Sequence, residues 1–333
     1  MRLPRQHRKV RSMRVYILRR LFQSVVVVLA VTTIMFFMFR FMPSDPTVLM
    51  VEQGMSDEAR QALLESWGLT GSLWQQYLRY MSNLLRLDFG NSFFYRAPVW
   101  DILWPRIMHT LWIAVPGLLL GALIGASLGM VVGWARRGGA VERGGILIAT
   151  IIRGTPSFII GIVLLVIFSS WLGWFPAFGM GDPGGAEGIW RFLRPEFLHH
   201  LALPLLAVII YFIPENLLLM RSGVVENRTE DYIELIRAKG VSDARVAWHA
   251  ARNSMLPLIT WLFPALAETI AGIVVVEIVF SWPGIGRELV LAVTRQDYPL
   301  AQAAFFLLAV MIVLANLAAD LAYGKLDPRV VYR

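Results

Sequence analysis

Apolar residues run along this chain in long unbroken blocks, separated by short polar stretches, rather than recurring at a helical or strand spacing. A helix hydrophobic on every side needs about 20 such residues to cross a bilayer core about 30 Å thick. Blocks of that length lie at 21–42, 106–135, 146–174, 199–220, 258–280 and 299–323. They predict an all-α polytopic membrane protein of about six transmembrane helices. The segments between them are a basic N-terminus at 1–20, a polar and aromatic extracytoplasmic subdomain at 43–105, a short loop at 136–145, an outer loop at 175–198, a long polar segment at 221–257, another outer loop at 281–298 and a tail at 324–333. Within the subdomain, Ser56-Asp57-Glu58 is placed to start a short helix through Trp67, and 73–87 reads as a second, amphipathic helix.

Charge orients the spans. Arg2, Arg5, Arg8, Lys9, Arg11, Arg14, Arg19 and Arg20 precede the first, Arg136, Arg137 and Arg143 follow the second, Arg221 follows the fourth, and Lys325 and Arg329 follow the sixth. Because cytoplasmic loops are rich in Lys and Arg, both ends of the chain are expected in the cytoplasm. Arg191 and Arg194, on the outer side, run against the pattern. The first apolar block exceeds the usual length of a signal-peptide core and ends in Arg40-Phe41-Met42-Pro43 with no small-residue cleavage site, so it reads as a span. Met13 is a second candidate start, since the residues after it still supply basic flanks.

Two spans carry further instructions. Gly117, Gly121, Gly125, Gly129 and Gly133 recur every four residues, a spacing that lets another helix approach closely. They are not a nucleotide loop, because no Gly-Lys-Ser/Thr follows and the segment is apolar throughout. The third block is interrupted near its start by Arg153-Gly154-Thr155-Pro156, and the fourth contains Pro204, Pro214 and Glu215.

Composition narrows the function. Only 16% of residues are charged, against about 25% in soluble domains. The net charge of +8 sits beside apolar blocks, where topology explains it, so nucleic acid is not expected as a partner and the lipid bilayer is. With no cysteine, disulfides and thiolate chemistry are excluded.

The long polar segment is the chain's organising feature. Two helical stretches flank Lys239-Gly240-Val241-Ser242-Asp243, where Gly240 can take the conformation that ends a helix and Ser242 or Asp243 can cap the next. Such a hinged element on the cytoplasmic side suits a partner that must grip the transporter. Among intramembrane ionisable residues, Glu268 and Glu277 are nine apart and so face roughly opposite ways. Glu268 is the one expected to line a cavity and meet a cationic group on cargo. Glu277, near Trp282 and the Pro-Gly turn, is expected to have a structural or gating role. Asn316 and Asp320 share a face suited to hydrogen bonding between helices. His109, His199 and His200 fall at interfaces and read as wet boundary histidines rather than metal ligands.

The polar segment resembles the EAA loop of ABC-importer permeases, with Glu234 at the Glu position, Leu235 and Ile236 in place of the two alanines, and Gly240 at the Gly. Asp231-Tyr232, Arg237-Ala238-Lys239-Gly240, His249-Ala250, Arg252-Asn253 and Leu256-Pro257 are similar to the dipeptide/oligopeptide/nickel branch. Arg19-Arg20-Leu21, Met42-Pro43-Ser44-Asp45-Pro46, Leu87-Asp88-Phe89-Gly90, Ser92, Phe280-Ser-Trp-Pro-Gly-Ile-Gly286, Asp297-Tyr298-Pro299 and Leu326-Asp327-Pro328-Arg329 extend the likeness to that branch's B-type subunit over nearly the whole chain.

The resemblance implies a type I importer permease with a MetI-like fold. It would pair with a second homologous permease, dock two cytoplasmic ATPase subunits through Asp231 to Asn253, and receive cargo from an extracytoplasmic solute-binding protein. ATP and Mg would sit on the partner subunits, and this chain, lacking a Walker A pattern, would bind no cofactor and catalyse no reaction. Cargo in that branch includes dipeptides, longer peptides, nickel chelates and some oligosaccharides. Two rival classes remain open from the residues: a proton-coupled secondary transporter using its intramembrane carboxylates, which would usually show internal repeats that are not seen here, and a membrane-anchored scaffold.

Overall fold

The computed structural model describes residues 13–41, 70–181 and 192–326. The expected helix from Ser56 to Trp67, the Met42–Pro46 motif, Arg191 and the tail from Asp327 lie outside them. The described chain is helical: α1 (Met13–Phe41), α2 (Leu73–Leu85), α3 (Val99–Trp134), α4 (Ala140–Arg153), α5 (Ser157–Leu164, continued as a π-helix over Leu165–Trp171), α6 (Pro195–Asn227), α7 (Asp231–Ala238), α8 (Asp243–Asn253), α9 (Met255–Val279), α10 (Ile285–Thr294) and α11 (Tyr298–Leu326). Five of these, α1, α3, α6, α9 and α11, are long and apolar enough to cross a membrane; α4 and the α5 helix pass the same test only together, and counting that bent pair as one span gives six.

Several helices outrun the blocks that announced them. At 36 residues, α3 is about 54 Å long at 1.5 Å per residue, well beyond the bilayer core. It starts at Val99 instead of 106 because Val99 and Leu103 are buried against Ile285, Leu289 and Leu300, so the helix has a core to pack on outside the membrane. Likewise α6 runs from Pro195 to Asn227 and α9 begins at Met255. The third block is two helices bent by 100° at Gly154–Pro156, since a proline disfavours helical geometry in the residue before it. The outer loop at 281–298 holds α10, which its length alone did not announce.

The glycine stripe sets the centre. α3 and α6 are the most extensively packed pair, and they run in the same direction: an added Cβ at Gly117, Gly121, Gly125, Gly129 or Gly133 would meet Val208, Phe212, Asn216, Met220 or Val224 in turn, four residues of one helix for four of the other. α5 and α9 cover one side of this pair through Ile160, Leu164, Ile273 and Phe280. On the other, α9, α10 and α11 build a second core with Phe39 of α1. α1 itself is mostly exposed and is tied to α11 by an ion pair, Arg20 to Asp320 at 3.1 Å. At the end of α1 away from Arg20, α2 is started by a capping box in which Ser72 and Gln75 bond each other's backbone N–H. Tyr77 and Tyr80 of α2 pack on Phe36, with Tyr77 also bonded to Thr33 at 3.0 Å. Burial, with Tyr77 beside it, pushes the Tyr80 hydroxyl up to about 12, so it stays a neutral donor at every physiological pH.

Candidate coupling and translocation site

α7 and α8 form the hinged element that the polar segment announced. Gly240 ends α7 with φ +72°, the left-handed conformation that glycine adopts without cost, and donates its N–H to Arg237 at 2.9 Å. Ser242 takes the N-cap position of α8 but makes no side-chain cap. Asp243 is turned elsewhere: its Oδ2 accepts the indole N–H of Trp134, the last residue of α3, at 2.7 Å. Trp134 is the anchor that sequence reasoning missed. The guanidinium groups of Arg228 and Arg237 lie 5.2 and 5.4 Å from its ring centre, and Arg228 also donates to the carbonyls of Trp134 and Ala135, closing the C-terminal end of α3. A small core of Ile233, Val246 and Ala250 packs against the same ring. A second tie runs to α6, where Tyr232 donates to Asn227 at 2.9 Å and Asn227 to Ser254 at 3.0 Å.

The rest of the element is open. Asp231, Glu234, Arg237, Ala238, Lys239, Gly240, His249, Arg252 and Asn253 are all exposed, while Tyr232 is half-buried. Leu235 and Trp248, 60% and 51% exposed, add apolar area to a surface otherwise charged. An added Cβ at Gly240 would meet nothing within 4 Å. The cost is conformational, about 1–2 kcal/mol for a left-handed L-residue. Gly240→Val is therefore expected to assemble in the membrane at normal level with the angle between α7 and α8 changed, which spin-label distances across the hinge would register; unchanged distances would count against a hinge.

The two carboxylates of α9 part company as their spacing requires. Glu268 is exposed, whereas Glu277 is 0% exposed. Glu277 accepts the hydroxyl proton of Thr110 at 2.5 Å and the N–H of Arg287 at 2.8 Å, so its carboxylate sits in the first turn of α10, where a negative charge is favoured. Thr110 in turn accepts the N–H of Ile285 at 3.0 Å. Trp282, wholly buried, donates its indole N–H to the carbonyl of His109 at 3.0 Å, and His109 Nδ1 donates to Pro283 at 2.9 Å. His109 is thus a buried structural histidine and not a wet boundary one. An added Cβ at Gly284 would overlap the Glu277 carboxylate, and one at Gly286 would lie 2.9 Å from Val274 Cα, which accounts for both glycines of the Trp-Pro-Gly-Ile-Gly turn.

Nearby, Ser92 and Asp297, far apart in sequence, meet at 2.5 Å, and Asp297 also accepts the N–H groups of Phe93 and Phe94. Arg106 pairs with Glu288 at 2.9 Å. The outer ends of α3, α9 and α10 are thereby knotted together.

Asp320 pairs with Arg20 of α1, whereas Asn316, one turn away, is exposed. The remaining ionisable groups converge. Arg153, at the bend, reaches Glu215 of α6 at 3.0 Å, and both line a cavity of about 330 Å³ with Tyr211, Trp261 and Glu268. Arg153 was legible as a charge inside an apolar block next to a helix break, the kind of position that is costly unless it serves a site. His199 and His200 approach the carbonyls of Trp174 and Phe178 at the outer edge.

Residues 117–332 match the family model described as "Binding-protein-dependent transport system inner membrane component", and residues 13–114 match the model described as its N-terminal part. The chain belongs to that family. Among similar proteins, the "Oligopeptide transport system permease protein AppB" of Bacillus subtilis (strain 168) is 32% identical over 96% of this chain and 100% of its own length. The "Dipeptide transport system permease protein DppB" of Escherichia coli (strain K12) is 33% identical over 96% of this chain and 99% of its own. The "Di/tripeptide transport system permease protein DppB" of Pseudomonas aeruginosa (strain UCBPP-PA14) is 33% identical over 95% of this chain and 98% of its own. The permease is accordingly an all-α, multi-pass membrane protein with the MetI-like importer fold, and the expected branch resemblance stands.

Proposed function

We propose that this permease forms half of the pathway of an ATP-driven peptide importer, with a second homologous permease as the other half. Two cytoplasmic ATPases would hold ATP and Mg and grip the lever made by α7 and α8. An extracytoplasmic binding protein would deliver the peptide. The observation that carries this reading is the lever itself: a two-helix element with an exposed charged and apolar face, fastened at Trp134 to α3 and at Asn227 to α6. A force applied there reaches the two central spans directly, with both chain ends on the same, cytoplasmic side. Glu268, on the open face, would belong to the pathway, while Glu277 and Trp282 would hold the outer end that opens and closes with it. Asn316 and Asp320 would act at the edge facing α1.

The reading is tested by expressing the chain with its second permease and both ATPases, purifying the complex, and measuring peptide uptake into vesicles. Uptake that requires ATP and the binding protein supports it. Uptake by this chain alone, driven by a proton gradient, would overturn it in favour of a secondary transporter. Within the complex, Glu234→Lys reverses an exposed charge of the lever. We expect about a tenfold loss of peptide-stimulated ATP hydrolysis, roughly 1.4 kcal/mol of coupling, with assembly intact. Unaltered stimulation would remove Glu234 from the docking face.

A further inference from the structure

Among the described residues, one face of the permease carries ionisable groups at membrane depth without covering them. The α5 helix spans 157–171 and is π-helical over its last seven residues, so it is at most about 22 Å long, short of a core about 30 Å thick, which places the bend at its start within that core. Arg153, immediately before that bend, keeps 59% of its side chain exposed, its partner Glu215 28%, and Glu268 near the middle of α9 is exposed as well. Charges cannot face lipid at that depth without heavy cost, so they face water or another protein chain.

The charges do not balance. Arg153 is engaged by Glu215 at 3.0 Å. Glu268, on the same cavity, has no hydrogen-bond or ion-pair partner among the described residues. It also lines an adjoining cavity of about 320 Å³, which shares Tyr211 and Phe212 with the first and continues past Ser157. The two chambers therefore form one groove with a single uncompensated negative charge at their junction and aromatic walls on either side. Each chamber is at the lower end of the size range of small-molecule sites.

We infer that this groove is a way-station for the ammonium end of the cargo, with Glu268 as the group that receives it. The inference rests on the importer reading above and adds to it the part of the cargo that is recognised inside the membrane. A carboxylate in a cavity of reduced dielectric attracts a primary ammonium far more strongly than it does in water, and the aromatic residues Tyr211 and Trp261 line the same cavity. Arg153 does not cancel this attraction, because Glu215 already neutralises it.

The chain's lack of cysteine makes the test direct. In the assembled complex, Ser157→Cys places a single thiol of this chain on the groove, and its labelling by a cationic methanethiosulfonate is followed on this chain. A millimolar dipeptide with a free amine should slow labelling several-fold, whereas the same dipeptide N-acetylated should not. In the Ser157→Cys, Glu268→Gln double variant both the protection and the preference for a cationic over an anionic reagent should disappear. Equal protection by the two peptides, protection that survives Glu268→Gln, no protection, or a thiol that no reagent reaches would each overturn the inference. ATP-dependent uptake by the unaltered complex is measured in parallel. Uptake with the wrong labelling pattern sinks the station alone, and absent uptake sinks the importer reading.

Discussion

Gly125→Leu is expected to abolish accumulation of the folded permease. An added Cβ at this position would lie 2.5 Å from the carbonyl oxygen of Ile213, 2.8 Å from Asn216 Cβ and 3.2 Å from Ile213 Cα. Two of those atoms belong to backbone, so no change of rotamer relieves the conflict. The helices must separate along a seam that every one of the five glycines holds closed. Ordinary overpacking of a core costs about 1–3 kcal/mol; here the cost is larger, because separation also forfeits close contact at the neighbouring glycines. Gly144→Leu is the matched control, since nothing lies within 4 Å of its added Cβ. Membrane abundance and heat resistance of the purified complex should fall to background for the first and stay normal for the second. Normal abundance of Gly125→Leu would mean that the seam is not what holds α3 to α6.

Glu277→Ala should be the second most damaging change, and for a different reason. It removes the acceptor for Thr110 and for the N–H of Arg287 in a place with no water to replace it. Each buried group left unpaired costs about 1–3 kcal/mol, and the first turn of α10 also loses its favourable charge. Glu277→Gln keeps the shape, and its amide can accept from the Arg287 N–H through Oε1 and donate to the Thr110 hydroxyl oxygen through Nε2, so it loses mainly the negative charge at the first turn of α10 and should be less harmful than Ala. The readout is the thermal midpoint of the detergent-solubilised complex, followed by tryptophan fluorescence, to which the buried Trp282 contributes. A midpoint equal to that of the unaltered protein would show that the outer knot does not depend on this carboxylate.

What could be read from the residues was what depends on period and block length. The glycine seam, the break before Pro156 and the turn at Gly240 are local statements, each made by a few neighbouring residues, and the structure places each where the chain announced it. Pairings across the chain were not legible in the same way. Ser92 and Asp297 were both singled out by resemblance, yet nothing in either segment says that they meet. Thr110 looks like an ordinary apolar-span threonine until Glu277 is placed beside it. Trp134 merely closes the second apolar block, and its use as an anchor for Asp243, Arg228 and Arg237 depends on where two later helices return. Helix ends misled for a related cause: a block of hydropathy ends at the lipid, but Val99 and Leu103 continue α3 because protein covers them.

The parallel course of α3 and α6 has a mechanical consequence. Thr110 of the outer knot and Trp134 of the inner anchor lie on the same helix, about 36 Å apart at 1.5 Å per residue. Between them the glycine face of α3 rests directly on the backbone of α6 at Ile209, Ile213, Leu217 and Arg221. Such a pair behaves as a stiff strut: it can tilt or twist, but it has little slack along its length in which a displacement at one end could be absorbed before the other end moves.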